Sequence, residues 1–157
     1  MPDTPEFLAE RLKTEGERTI SFFANLSPDQ WQSTVYTDGG EWRVRDVLAH
    51  FFSAERRFLE LFRDVQAGGP GAPQDFDIDG FNAGQVGDLR ETSPAELLAA
   101  FRAAREAMIA WVSTCSADDL QRIGRHPFLG QTTLADMVKM VYRHHQIHFR
   151  DFRASIS

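Results

Sequence analysis

The stretch Leu134-Ala135-Asp136-Met137-Val138-Lys139-Met140-Val141-Tyr142-Arg143-His144-His145-Gln146-Ile147-His148-Phe149-Arg150-Asp151-Phe152 decides the fold. Leu134, Met137, Val138, Val141 and Phe152 recur at helical steps. The pattern predicts a helix from Thr132 or Thr133 to near Phe152 with one apolar face. At about 100° per residue from Leu134, Val141 lies at about 340°, His148 at about 320°, His144 at about 280° and His145 at about 20°. His148 therefore falls inside the apolar stripe, with His144 and His145 flanking it on opposite sides. Periodicity does not choose between those two.

Three more helices read outward from this one. The first covers Pro5 to Asn25, with Leu8, Leu12, Thr19, Phe22, Phe23 and Leu26 near one face and Pro5 suited to its first turn. The second covers Arg43 to Val65, with a stripe of Val47, Phe51, Ala54, Phe58 and Leu61. The third opens on the capping box Ser93-Pro94-Ala95-Glu96 and continues through Leu97, Leu98, Phe101, Ala104, Met108, Trp111 and Val112. Ser27-Pro28-Asp29-Gln30 reads as a cap and a short turn, and Thr37-Asp38-Gly39-Gly40 as a break. Ser116-Ala117-Asp118-Asp119 is another cap, giving way to Gly124-Arg125-His126-Pro127, where His126 is a loop residue without a role. Gln66 to Thr92 is a long irregular connection opened by Gly and Pro. No repeat appears, and no alternation long enough for a sheet. The expectation is an all-α antiparallel four-helix bundle, one domain over 1–157, with a long loop between the second and third helices.

The chain has 157 residues, with 17 Lys+Arg against 23 Asp+Glu for a net charge of −6. That acidic balance is expected to exclude nucleic acid, whose binders need basic surfaces. No apolar stretch suits a membrane span, and Met1-Pro2-Asp3-Thr4-Pro5-Glu6 has no export signal. A single cysteine, Cys115, fits a reduced, cytoplasmic setting and reads as inert packing.

The chemistry gathers on histidines. His50, among Val47, Leu48, Ala49, Phe51 and Phe52, would by itself be a hydrogen-bonded core residue. His144 and His148 are four apart on one helix, which lets two imidazoles reach one ion; His145, three from His148, competes for that place. Histidines also gather at helix C-termini for the dipole, but His148 lies in an apolar pattern where an unpaired ring is costly. Three imidazoles from two helices would leave open positions on an ion, the arrangement of catalytic sites. Asp75-Phe76-Asp77-Ile78-Asp79-Gly80-Phe81-Asn82 imitates half of a calcium-binding loop, yet Val86 stands where the bidentate Glu belongs. Phe76, Ile78 and Phe81 are instead expected to seal one end of the bundle.

Trp42-Arg43-Val44-Arg45-Asp46-Val47-Leu48-Ala49-His50 resembles the signature opening the second helix of the DinB/YfiT-like superfamily. Leu134-Ala135-Asp136-Met137 with His144-x-x-x-His148 resembles that superfamily's final-helix metal motif. The resemblance implies a divalent metal held by His50, His144 and His148, choosing His144 over His145. Related members include mycothiol-dependent maleylpyruvate isomerases and bacillithiol transferases, which implies a low-molecular-weight thiol as co-substrate. The chain departs from the isomerases in ending at Ser157, and Phe149-Arg150-Asp151 stands where Arg-Gly-Gln often follows the last His.

The leading expectation is a metal-dependent transferase or hydrolase of small molecules, possessing zinc, nickel or iron(II) rather than copper(I). Such an ion lowers the pKa of water to about 7 or binds a thiol as thiolate. Asp46, one turn before His50, and Asp151, three residues after His148, are candidates for hydrogen-bonding a ligand His or for acid/base work. Asp46 equally suits the first turn of its helix. The alternatives are a non-catalytic metal-binding protein and a helical homodimer module. The expected partners are a small-molecule substrate and a second copy of the chain, with neither nucleic acid nor membrane.

Overall fold

The structure, a computed structural model, describes residues 3–37 and 40–156. Asp38 and Gly39 of the expected break lie outside these residues, as do Met1, Pro2 and Ser157. Four long helices form the bundle: α1 (Pro5–Ala24), α3 (Val44–Gln66), α5 (Pro94–Ser113) and α7 (Leu134–Ile156). Thr4 Oγ1 accepts the Phe7 N–H to start α1, and Ser93 Oγ accepts the Glu96 N–H to start α5, each before a proline in the first turn. α1 and α3 each pack against both α5 and α7, so chain-consecutive α1 and α3 lie across the bundle from each other. No described helix is long and apolar enough to cross a membrane.

The crossing connections carry small elements too short for periodicity to reveal. Between α1 and α3 come the single turn α2 (Pro28–Trp31) and an antiparallel hairpin of β1 (Thr34–Tyr36) and β2 (Trp42–Arg43). Between α5 and α7 come the single turn α6 (Ala117–Leu120) and a hairpin of β3 (Ile123–His126) and β4 (Gly130–Thr133). These strands, of two to four residues, are shorter than any alternation the sequence could display, and the helical class is unchanged.

No repeat appears in the sequence, yet the two halves have one structural plan. α1 and α5 have 20 residues each, α2 and α6 have 4, and α3 and α7 have 23. Ser27 and Ser116 cap the single turns with the same capping box. The Val44 N–H donates to Ser33 O at 2.9 Å, and the Leu134 N–H to Arg122 O at 2.8 Å. Little side-chain identity survives between the halves; what recurs is capping chemistry and apolar spacing.

The connection between α3 and α5 is not wholly irregular, since it contains α4 (Ile78–Asp88). Asp77, read in the sequence as part of an acidic loop, accepts the Gly80 N–H at 3.0 Å as the N-cap. Gly80, Gly84 and Gly87 lower the helix propensity here, so tertiary contacts hold the segment. Val86 is buried against α3's side of the core, and Arg45 donates to Leu89 O at 2.7 Å and Thr92 O at 2.8 Å just past the helix end.

Two apolar clusters fill the bundle. One gathers Leu12, Phe62, Met108, Trp111 and Val138; the other gathers Phe23, Phe51, Leu97, Phe101 and Phe152. On every long helix a buried polar residue falls between them: Thr19, Glu55, Arg105 and His145. Arg105 Nη2 donates to Glu55 at 3.0 Å and Nη1 donates to Leu12 O at 2.9 Å. A Cβ at Gly16 would stand 2.9 Å from Arg105 Cγ, so glycine is what lets this guanidinium cross the core.

Candidate metal centre

α3 and α7 place His50, His144 and His148 so that one nitrogen from each lies within 4.8 Å of the others. His50 Nε2 is 3.4 Å from His144 Nε2, which is 3.0 Å from His148 Nε2. Two imidazoles bound to one ion at about 2.0–2.1 Å would have nitrogens about 3.4 Å apart at a tetrahedral angle and about 3.0 Å at an octahedral one. Protons satisfy the cluster poorly, because a hydrogen on His144 Nε2 can serve one neighbour only. A shared cation satisfies all three lone pairs, so this donor set fits a divalent metal.

Burial keeps these rings neutral. It depresses His50 far below the usual imidazole range, with like-charge repulsion from His144 and His148 adding to it. Burial first, then His148 and His126, pushes His144 down to about 3. Burial lowers His148 to about 4, against a smaller opposing effect of Asp151. Neutral imidazole is the ligating form.

Tyr36, at the end of β1, was not anticipated from the sequence. Its hydroxyl donates to Asp151 and lies 2.8 Å from His148 Nδ1. With its one proton given to the carboxylate, the hydroxyl accepts from Nδ1–H, which leaves the His148 Nε2 lone pair facing the cluster. Asp151 thus reaches His148 through Tyr36. Asp46 is engaged elsewhere: its carboxylate accepts the Arg43 N–H at 2.9 Å and pairs with Arg45 at 3.5 Å. It makes no hydrogen bond to His50, whose Nδ1 is buried without a partner among the described residues.

His145 turns away into the core. Its Nδ1 is 3.3 Å from Thr19 Oγ1, and its ring stacks on Phe51 with centroids 3.9 Å apart. Burial, with the Arg105 charge next, holds it far below the usual imidazole range. His126 is not the idle loop residue expected. It closes β3, is 1% exposed, stacks on Phe58 at 5.2 Å and is pushed down to about 4 by burial. Its Nδ1 accepts the Phe128 and Leu129 N–H groups, so Nε2 carries the proton, buried and without a partner among the described residues. Cys115 is buried, and burial followed by Asp119 raises its thiol to about 11, so it stays protonated at neutral pH.

Two spaces meet at the cluster. A groove of about 460 Å³ runs past Tyr36, Trp42, Asp79, Asn82 and His148. A smaller cavity of about 40 Å³ also borders His50 and His144 and is walled by Phe58, Phe76, Phe81 and Phe128. Phe76, Ile78 and Phe81, expected to seal a bundle end, wall this cavity.

Comparison with known proteins gives this architecture a family. No curated protein matches the sequence. Among solved structures, YfiT from Bacillus subtilis, described as a probable metal-dependent hydrolase with an unusual four-helix bundle topology, is 16% identical, with a TM-score of 0.76 over 98% of this chain and 86% of that one. The mycothiol-dependent maleylpyruvate isomerase is 12% identical, with a TM-score of 0.78 over 97% of this chain and 61% of that one. The colibactin self-resistance protein ClbS, in complex with a dsDNA, is 13% identical, with a TM-score of 0.75 over 100% of this chain and 99% of that one. At these identities the likeness is one of fold. The ClbS complex corrects the expectation that nucleic acid is excluded: a protein of this fold meets duplex DNA, and a net charge says nothing of where charges sit on the surface. The DinB superfamily model matches residues 4–151, and the chain belongs to that superfamily.

Proposed function

We propose that the protein is a divalent-metal-dependent enzyme acting on small molecules as a transferase or hydrolase, with a low-molecular-weight thiol as co-substrate in the transferase case. The observation that carries this reading is the convergence of three neutral imidazole nitrogens from two helices at 3.4 and 3.0 Å, opening on a groove. His50, His144 and His148 would hold the ion, and three protein ligands leave positions free, as in catalytic sites. Zinc, nickel and iron(II) suit imidazole donors. When bound, the ion supplies Lewis acidity and lowers the pKa of water or a thiol. Tyr36 and Asp151 keep the His148 proton on Nδ1, and Trp42, 5.4 Å from the His50 ring, shields that ring from solvent. Asp151, which accepts from the hydroxyl of the groove-lining Tyr36, is the acid/base candidate; Asp46 holds the start of α3 and with it the height of His50. With Cys115 buried and protonated, any reacting thiol comes from the substrate side. A cytoplasmic setting and a homodimer belong to the same reading, the latter open to sedimentation.

Elemental analysis of protein purified without a nickel column tests the reading. About one divalent ion per chain is expected, lost in His50→Ala and His148→Ala. Thiol-conjugate turnover or hydrolysis should stop on chelation and return with metal. Unchanged metal content in both variants overturns the site, and turnover that survives complete metal removal overturns the mechanism.

A further inference from the structure

The small cavity beside the cluster occupies a particular place in the repeated plan. Ala54, Phe58 and Leu61 have the positions in α3 that His144, His148 and Asp151 have in α7. His126 ends β3 as Tyr36 ends β1. The contacts repeat as well: Tyr36 meets His148 with ring centroids 5.8 Å apart, and His126 meets Phe58 at 5.2 Å. The cavity is therefore the counterpart, in the other half, of the polar side of the metal centre. Where that side carries imidazole, imidazole and carboxylate, this side carries methyl, phenyl and isobutyl.

From this we infer that the cavity is a binding subsite for an uncharged apolar arm of the substrate, a short aliphatic chain or its equivalent, whose polar end lies at the histidine cluster. The inference rests on the metal-centre reading above and names the substrate class that the centre serves. Four observations carry it. The cavity shares His50 and His144 with the centre, so an arm seated there ends at the reacting position. Apart from these imidazoles, Asn82 and Arg57, its walls are phenyl and aliphatic carbon from α3, the connection after it, α4 and the β3–β4 turn. Among the described lining residues Arg57 is the one Lys, Arg, Asp or Glu, and it lies at the solvent edge, 3.2 Å from Glu60 and 6.0 Å over the Phe76 ring, so its charge does not point a carboxylate arm into the interior. The room, about 40 Å³, holds about three groups the size of a water molecule. Phe128, nearly half exposed on the β3–β4 turn, and Asn82 on α4 border both the cavity and the groove, so the arm enters between them.

The test uses the cobalt(II)-loaded protein and a series of n-alkyl hydroxamates, whose head groups bind the ion while the tails lengthen from acetyl to octanoyl. Visible absorption of the cobalt gives each dissociation constant. Affinity should rise about fourfold per methylene over the first three or so and then level off or fall. Ala54→Leu, which adds three carbons at the cavity wall, should abolish the increment while leaving acetohydroxamate affinity unchanged. Phe58→Ala should move the optimum to longer chains. A wild-type series with no chain-length dependence, or an increment that survives Ala54→Leu together with an optimum unmoved by Phe58→Ala, overturns the subsite. Should cobalt fail to bind, the metal reading falls by itself. Xenon binding to the metal-free protein, followed by the xenon-129 chemical shift, then decides the subsite, which is overturned if Ala54→Leu binds xenon as wild type does.

Discussion

Tyr36→Phe separates the hydroxyl from everything else that Tyr36 does. The ring meets Trp42 at 6.4 Å and His148 at 5.8 Å, contacts that phenylalanine keeps. What disappears is the oxygen that takes the His148 Nδ1–H at 2.8 Å and gives its own proton to Asp151. Without it, His148 is free to carry its proton on Nε2, facing His144 at 3.0 Å, where it cannot ligate. Losing such an outer partner weakens metal binding by about 10–100-fold, or about 1.4–2.7 kcal/mol. Two half-buried groups also lose a partner, the imidazole N–H and the carboxylate, so the metal-free fold should lose about 1–3 kcal/mol less whatever water recovers. The assay is a zinc titration against a chromophoric chelator, alongside urea unfolding of the metal-free protein. Asp151→Asn should fall between wild type and Tyr36→Phe, since an amide oxygen still accepts from the hydroxyl. Zinc affinity in Tyr36→Phe within twofold of wild type would refute the reasoning, whatever the stability change.

Two more outcomes concern the frame around the centre. Arg105→Met strands the Glu55 carboxylate in the core and should cost about 3–5 kcal/mol in urea unfolding, most of it regained in Arg105→Met/Glu55→Leu. Equal stability of the single and double variants would show that the pair is not coupled. His126 remains neutral to about pH 4 when folded but takes a proton below 6.5 when unfolded. Its contribution is thus complete above pH 6.5 and disappears as pH falls from 6.5 towards 4, reaching at most about 3 kcal/mol. His126→Asn, whose side-chain oxygen can accept the same turn N–H groups, should flatten the acid side of the metal-free stability profile by up to that amount; an unchanged profile counts against it.

How far the site could be read from the sequence follows the distance over which each residue acts. His144 and His148 lie one turn apart on a single helix, so spacing alone brings their rings together. The choice between His144 and His145 was beyond periodicity, because both flank the stripe. It is made by residues elsewhere in the chain: Phe51 and Thr19 take His145 into the core, and His50 meets His144. Tyr36 was invisible for the same reason, reaching His148 from 112 positions away on a strand of three residues. α4 was hidden by three glycines, and Asp77 looked like a calcium ligand because capping oxygens and metal ligands are the same residue types. The four long helices were legible because each buries a continuous stripe, and the physical cause of each runs along a single segment.

The repeated plan also explains why the centre is lopsided. Where equivalent positions of the two halves come together, both cannot carry a large side chain in a close-packed core. Arg105 and Gly16 hold the same position in α5 and α1, and they touch: the guanidinium stem fills the space that the glycine leaves. His144 and Ala54 hold the same position in α7 and α3 and border one cavity. Here too the large residue meets the small one, but the imidazole is drawn towards His50 and His148 and does not fill the methyl's side. The packing rule that let a buried ion pair cross the core at one pair of positions leaves a void at the other. A void lined with carbon and bordered by the nitrogens of the histidine cluster costs stability in the empty protein, and an apolar group that occupies it recovers that cost on binding.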